Sequence, residues 1–301
     1  MEKIAIITDS TSDLTQDIID KYDIKVMPLQ IIYQSKIYRD KVDITPEQIY
    51  SGMEREVPKT SLPLTADVVK TFEQLKQEGY THILGAFISS GLSGTYNMVR
   101  NMANDYKDDF VIELLDSKSI SWGSGFGIVE AAKAREAGSN FEEIVAIAKK
   151  AIKNTRSIFV LPTLYYLKKG GRMGRVEGTV GDLLNIKPIV GVDEAGDGQY
   201  FTIKKVRGRK KSLTELFNVI HNLVKDKEAF EVIVLSGNAP EESTEIAEKF
   251  KAMPNCKYVL ETSVSPVIGV HTGPGLLALS VKTLRRHWSR SRCSFFLPKL
   301  Q

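Results

Sequence analysis

The segment from Phe87 to Tyr96 places serine and threonine hydroxyls and two glycines between two regular elements. An apolar run from His82 to Ile88 leads into it and predicts a buried strand, while Met98, Val99 and Met102 begin a helical pattern. Hydroxyls and free backbone N–H groups at the start of a helix bind anions. Because the segment contains neither Lys nor Asp, it predicts a site that holds a small acidic group through uncharged donors.

A second polar segment follows the first predicted strand and contains Asp9. An aspartate in this place resembles a phosphatase nucleophile, which needs a second aspartate two positions later as the general acid. That position is Thr11, so catalysis is the weaker interpretation. We expect instead that Ser12 or Asp13 caps the next helix.

Two further segments carry hydroxyl or imidazole groups. Thr60 and Ser61 stand just before Pro63, and they either point hydroxyls into a site or close a local turn, which the sequence favours. His271 opens a glycine-rich turn after the apolar run 267–270, which predicts a strand. For this histidine a functional and a structural role are equally open.

A fifth segment, from Lys168 to Arg175, combines four cations with three glycines. It is too short to form a nucleic-acid groove. A mobile positive surface of this kind docks a phosphate, an acidic protein face or an anionic membrane, or it is a solvated loop.

The composition is that of an ordinary globular protein: 301 residues, 42% hydrophobic and 26% charged, enough for two domains. No apolar run approaches the ~20 residues that span a bilayer, and Asp9 follows the N-terminus too closely for a signal peptide. Cys256 and Cys293 are isolated, which argues against a disulfide framework or a cysteine-based metal site. These features predict a soluble, cytoplasmic protein with no metal.

The net charge of +4 comes from the end of the chain. The segment 285–301 has five basic residues and no acidic one, so the remainder carries a net charge of −1. This balance gives no support for nucleic-acid binding. We expect the segment to be a disordered or vector-encoded extension, rather than a basic arm for RNA or a membrane surface.

The elements that must position these groups alternate between strand and helix from Ile4 to Ile152, which predicts a mostly parallel sheet flanked by helices. A second unit begins near Ser157 and contains an antiparallel pair joined through 196–198, so its sheet is predicted to be mixed. The predicted fold is α/β with two domains, 1–156 and 157–284. The segment around His271 returns to a ligand site between them.

One helix start is particularly well marked. Thr45 is followed by Pro46 at the first helical position and by Gln48 three residues after the cap. This pattern predicts a capping box.

The five polar segments, taken in order, resemble the DegV family over residues 1 to about 284. The resemblance rests on Thr8-Asp9-Ser10, Lys59-Thr60-Ser61-Leu62-Pro63, Ser89 to Thr95, Gly170-Gly171-Arg172 and His271-Thr272-Gly273-Pro274-Gly275. It implies two α/β domains with one long-chain fatty acid in an apolar tunnel between them. Carried over by position, the residues around its carboxylate would be Thr60, Ser61, Ser93, Gly94, His271 and Thr272.

The resemblance also implies a partner. In family members linked to fatty acid kinase, a separate ATP-dependent subunit phosphorylates the bound carboxylate to an acyl phosphate. The binding protein is then a carrier rather than an enzyme, with the fatty acid as its ligand and no cofactor. Arg172 and Arg175 would dock the kinase subunit or make a transient contact with an anionic membrane.

An enzyme remains the alternative: a phosphatase or transferase acting on a small molecule at the Ser/Gly loops. Its candidate groups are Asp9, Asp116 and His271. The sequence departs from the family pattern at Leu62, which is often polar there, and after about residue 284.

Overall fold

The computed structural model describes residues 2–179 and 185–284; the predicted basic extension, 285–301, lies outside them. The described residues form thirteen strands: β1 Ile4–Asp9, β2 Ile24–Met27, β3 Gln30–Ile32, β4 Ile37–Arg39, β5 Lys59–Ser61, β6 His82–Phe87, β7 Val111–Asp116, β8 Thr155–Val160, β9 Ile189–Val192, β10 Tyr200–Lys204, β11 Ala229–Gly237, β12 Cys256–Ser263 and β13 Leu276–Leu284. They also form ten α-helices: α1 Gln16–Lys21, α2 Pro46–Gly52, α3 Thr65–Gln77, α4 Thr95–Ala103, α5 Trp122–Glu136, α6 Phe141–Lys153, α7 Tyr165–Lys169, α8 Arg209–Val224, α9 Pro240–Lys251 and α10 Pro266–Thr272.

The strands lie in three sheets. A parallel sheet has the order β2-β1-β6-β7, and a mixed sheet has the order β10-β9-β8-β13-β11-β12, in which only β11 and β12 run parallel. The fold class is therefore confirmed as α/β with a parallel N-terminal sheet and a mixed C-terminal sheet. The mixed sheet includes β8, which starts at Thr155, although the boundary between 156 and 157 stays a prediction.

The sequence predicts an extended segment over residues 30–38, but it does not indicate the small antiparallel sheet β4-β3-β5 that this segment forms with residues 59–61. This sheet places Thr60 and Ser61 in a strand rather than in the predicted turn, with Thr60 opposite Ile31 and Ser61 opposite Gln30. Three-residue strands carry too little periodicity to be recognised in a sequence.

The parallel sheet brings the polar segments together at one edge. Its central strands, β1 and β6, are almost wholly buried, because helices cover both faces of the sheet. Ile6 lies opposite Leu84, and the strands end nearby at Asp9 and Phe87. The polar segments that follow both strands therefore leave the sheet at its carboxyl edge, where ligands of such sheets bind.

Helices α5 and α6 join the two large sheets. One hydrophobic cluster contains Ile6 and Leu84 of the parallel sheet, Trp122 of α5, and Phe159 and Ile233 of the mixed sheet. The two halves of the chain thus share a core.

Two local predictions were wrong. The apolar run 267–270 is not a strand, because Pro266 at the first helical position begins α10, which is apolar on nearly every side and buried. His271 lies in this helix, one residue before its end.

Ser12 and Asp13 do not cap α1, whose N-cap residue is Thr15. The Asp13 carboxylate accepts hydrogen bonds from Ser121 and Ser265, far along the chain.

Candidate functional site

A cavity of about 180 Å³ lies between the two large sheets. Its lining mixes apolar side chains with hydroxyl and basic groups. The apolar lining residues are Leu29, Leu62, Ile88, Leu92, Ile120, Val267 and Ile268. The polar ones are Thr11, Thr60, Ser61, Ser93, Arg172, Tyr200, His271 and Thr272. Among residues 2–179 and 185–284, no acidic side chain lines the cavity.

Thr60 and His271 meet in this cavity from opposite ends of the sequence. The Thr60 Oγ1 atom lies 2.7 Å from His271 Nε2, within hydrogen-bond distance. The contact is possible because α10, although late in the chain, packs against the first half. Val267 and Val270 share a core with Ile31 and Ile49, beside the strand that carries Thr60.

His271 is uncharged at neutral pH. Burial, reinforced by the positive charge of Arg172, lowers the pKa of His271 to about 4 from its ordinary value of 6.5. Its Nδ1 atom is buried with no hydrogen-bond partner. If Nε2 carries the proton, it donates to Thr60 Oγ1, and the Thr60 hydroxyl is left free to donate into the cavity. This tautomer gives the site a donor suited to a carboxylate.

Ser93 supplies a second hydroxyl from the segment before α4. Its Oγ accepts a hydrogen bond from the Thr95 backbone N–H at 3.3 Å and lies 2.9 Å from Thr95 Oγ1. When Thr95 is the donor in that pair, the Ser93 O–H is available to a ligand. Gly94 does not line the cavity. It lies against Leu62, however, so the Ser93 segment and the Thr60 strand are neighbours.

The first residues of the same segment serve a different purpose. Ser89 Oγ donates to the Gly198 carbonyl at 2.8 Å, across to the hairpin between β9 and β10. A Cβ on Gly91 would lie 2.2 Å from the Asp197 carbonyl oxygen, so only glycine allows this approach. Ser89 and Gly91 therefore join the two sheets, and Ile88, Leu92 and Ser93 are the residues of the segment that line the cavity.

The two arginines of the basic segment are placed differently. Arg172 lines the cavity, with Nη1 donating to the Gly170 carbonyl at 2.6 Å. Arg175 is half exposed and pairs with Asp193 at 2.6 Å and with Asp197 at 3.3 Å. The cavity thus contains one cationic side chain, whereas the sequence predicted uncharged donors alone.

Of the six predicted carboxylate residues, the structure brings five to one cavity: Thr60, Ser61, Ser93, His271 and Thr272. Their role as ligands stays a prediction. The Thr272 hydroxyl already donates to the Ile268 carbonyl. The sequence did not indicate Thr11 or Tyr200 as lining residues. Tyr200 carried no local signal, because it is one of two neighbouring aromatic residues in strand β10.

The candidate groups of the enzyme alternative do not converge on this cavity. Asp9 is buried and accepts hydrogen bonds from Thr11 and from the Ile88 backbone. Asp116 accepts from the Ser90 and Lys118 backbones. Of the three candidates only His271 lines the cavity. Within residues 2–179 and 185–284, no cluster of His, Cys, Asp and Glu is suited to a metal ion.

The helices in the same residues do not include one that is long and apolar enough to cross a bilayer. The fold and the cavity define the class: an α/β protein with two large sheets and a cavity of mixed polarity between them. A family model described as the uncharacterised DegV protein family matches residues 3–283. The chain belongs to the DegV family.

Relatives and solved structures match nearly the whole chain. Two DegV domain-containing proteins of Clostridium acetobutylicum are 42% and 44% identical to it, each over 93% of this chain and over 99% and 98% of their own lengths. A fatty-acid-binding DegV protein of Thermus thermophilus superposes with a TM-score of 0.86 at 27% identity, covering 94% of this chain and 100% of its own. A stearic-acid-binding protein of Eubacterium ventriosum superposes with a TM-score of 0.82 at 27% identity, covering 94% and 98%.

Proposed function

We propose that this protein binds one long-chain fatty acid in the cavity between its sheets. The observation that supports this most is the cavity lining: the described lining residues combine apolar side chains with uncharged donors and Arg172, and none of them is acidic. An amphipathic acid matches both parts of that lining. The solved relatives from Thermus thermophilus and Eubacterium ventriosum, which bind fatty acid and stearic acid, support the same ligand class.

The binding energy would come mainly from the acyl chain. Burial of each methylene contributes roughly 0.8 kcal/mol, so a sixteen-carbon chain supplies on the order of 10 kcal/mol before the entropic costs of association. The carboxylate then needs only enough hydrogen bonds to offset its desolvation, each contributing about 1.5–3 kcal/mol. Thr60 and Ser93 are the proposed donors, with His271 holding the Thr60 hydroxyl in place and with Ser61, Thr272 and the Gly94 backbone nearby.

A long acyl chain requires more room than the cavity offers. Its volume of about 180 Å³ is below the roughly 300–1,000 Å³ of common ligand pockets. Leu62 and Leu92 are only partly buried lining residues, so we expect their rotamers to change when the chain enters.

The ligand is tested by mass spectrometry of the purified protein under denaturing conditions, which we expect to release about one fatty acid per chain. Ser93→Ala should weaken palmitate binding at least tenfold, because it removes a donor from the buried carboxylate. Ser90→Ala is the matched control, since Ser90 stands in the same segment but does not line the cavity. Protein that is empty and takes up no added palmitate would exclude this function.

The second part of the proposal concerns transfer. We propose that the bound carboxylate is presented to a separate ATP-dependent kinase subunit, which phosphorylates it to an acyl phosphate. Because Arg172 lines the cavity, Arg175 is the better candidate for docking that subunit or an anionic membrane. Charge reversal at Arg175 should slow acyl-phosphate production without changing the fatty-acid content. The exposed Lys107 provides a control for charge reversal elsewhere.

A further inference from the structure

The helix that carries His271 is held at its other end by two aspartates from the first half of the chain. Asp13 Oδ1 accepts a hydrogen bond from the Ser265 backbone N–H at 2.7 Å. Asp40 Oδ1 accepts one from the Val267 backbone N–H at 3.0 Å. Both carboxylates are about 1% exposed.

These two bonds fix the start of α10. Ser265 is the N-cap residue, Pro266 at the first helical position has no N–H, and Val267 is the second helical residue. The two aspartates therefore accept hydrogen bonds from both backbone N–H groups present at these three positions, those of Ser265 and Val267. Ser265 has no side-chain capping bond of its own, so the alignment of this end depends on residues 252 and 227 positions earlier in the chain.

Stability alone does not account for these carboxylates. Burial raises the pKa of Asp13 to about 6 and that of Asp40 to about 7, against the opposing effects of Lys41 and of their hydrogen bonds. A pKa raised above the unfolded value means that the contribution of the group to stability declines as the pH rises through the folded pKa. The second oxygen of Asp40, Oδ2, is buried and meets no hydrogen-bond partner in the part of the chain that the structure describes. Near neutral pH the ionised forms of these two buried carboxyls therefore lower the stability of the folded protein, and both lie beside one short helix.

We propose that Asp13 and Asp40 are positioning residues, whose carboxylate oxygens set α10 so that His271 meets Thr60 across the cavity. The helix is only seven residues long, so a small rotation at its start displaces His271 near its end. That displacement would open the 2.7 Å contact between Thr60 Oγ1 and His271 Nε2. The consequence for fatty-acid affinity rests on the proposed function, whereas the consequence for His271 itself does not.

The test compares isosteric pairs of variants. Asp40→Asn and Asp13→Asn keep an oxygen that accepts the backbone N–H, whereas Asp40→Leu and Asp13→Leu remove it while filling the space. We expect the Leu variants to bind palmitate about tenfold more weakly and the Asn variants to stay within about twofold of the unaltered protein. Asp43→Leu is the control, because Asp43 is exposed and pairs with Arg39 in the same loop.

A second measurement uses the unliganded protein. The imidazole NMR signals of His271, assigned with a His271→Gln variant, should move in the Leu variants and not in the Asn variants. Leu variants that fold, bind palmitate normally and leave the His271 signals in place would overturn the proposal. If a Leu variant does not fold, the Asn variants decide, since a shifted His271 signal or a tenfold affinity loss in them contradicts the acceptor role. Failure of the unaltered protein to bind palmitate would refute the proposed function alone.

Discussion

The environment of His271 is controlled on two sides by the basic segment. Gly170 packs so closely on the imidazole that a Cβ there would lie 2.1 Å from Nδ1. Arg172, whose guanidinium donates to the Gly170 carbonyl, adds the positive charge that helps to keep the ring neutral. The basic segment, one interpretation of which was a solvated loop, therefore fixes the position of His271, and its Arg172 adds to the effect of burial in lowering the pKa of the imidazole.

Gly170→Ala tests this packing. The glycine has φ −81° and ψ −5°, which alanine adopts without strain, so the effect reports the clash and not the backbone. We expect the imidazole to be displaced from Thr60 and palmitate affinity to fall about tenfold, with a loss of about 1–3 kcal/mol in the free energy of unfolding. Isothermal titration and urea denaturation measure the two quantities.

The control for that substitution is Gly178→Ala. An added Cβ at Gly178 meets nothing within 4 Å, and its φ is not in the left-handed region. Equal effects of the two substitutions on palmitate affinity would show that the contact between Gly170 and His271 is unimportant.

At the scale of elements, a buried lysine ties helix α5 to the mixed sheet. Lys282 of β13 pairs with Glu130 of α5 at 2.9 Å and with Glu231 of β11 at 2.7 Å. Its side chain is 5% exposed, so its positive charge is stabilised by these two carboxylates rather than by water. Despite burial, Lys282 and Lys133 lower the pKa of Glu130 to about 2.

Lys282→Met should destabilise the protein by about 3 kcal/mol, because it leaves the partly buried Glu231 without its cation and Glu130 with Lys133 alone. Part of this stabilisation depends on the charge of Glu130. A carboxyl whose pKa is lowered on folding contributes fully above its unfolded value of about 4.5, and the contribution is lost as the pH falls toward 2. Urea denaturation of both proteins at pH 7 and pH 3 should therefore show a smaller difference at pH 3.

Lys249→Met is the matched control, because Lys249 is 44% exposed and pairs with Glu245 on the surface of α9. Its loss should cost no more than about 0.5 kcal/mol. Comparable destabilisation by the two substitutions would mean that burial of Lys282 adds nothing.

The sequence predicted those elements whose signals are local. The capping box of α2 is confirmed, since Thr45 and Gln48 each accept the other's backbone N–H. The antiparallel pair β9 and β10 is confirmed as well. Helix α10 was not recognised, because a helix buried on nearly every side has no polar face and resembles a strand in sequence.

The candidate site could be predicted only as a set of segments. The hydroxyls of Ser93 and Thr60 and the imidazole of His271 were identifiable by residue type and by neighbouring glycine or proline. Their proximity depends on contacts such as those of Asp13 and Asp40, whose partners are more than 200 residues away. The spacing of residue types in a sequence does not reveal contacts between residues so far apart along the chain.

At the scale of the whole molecule, the shared core couples the two halves. The cluster around Trp122 includes side chains from the parallel sheet, from α5 and α6, and from the mixed sheet. The hydrogen bond from Ser89 to Gly198 and the ion pairs of Lys282 cross between the same halves. Neither half can be separated without exposing this apolar surface.

We therefore expect urea to unfold the protein in one cooperative transition. Fluorescence of Trp122, measured in a Trp288→Phe background, and far-UV circular dichroism should give coincident curves. The separate segments 1–156 and 157–284 should each unfold without a sharp transition, because each lacks a large part of the shared cluster. Two resolved transitions in the intact chain would instead indicate independent domains, with a boundary close to the predicted one.

Because α10 packs on the opposite half of the chain, the residues of the cavity become available at very different times during synthesis. A ribosome produces the small sheet with Thr60 and the segment with Ser93 long before it produces His271. A growing chain that has exposed only its first 260 residues has Asp13 and Asp40 in place but no helix for them to hold. On the proposed function, a chain that stops before Ser265 therefore lacks His271 and should not hold a fatty acid.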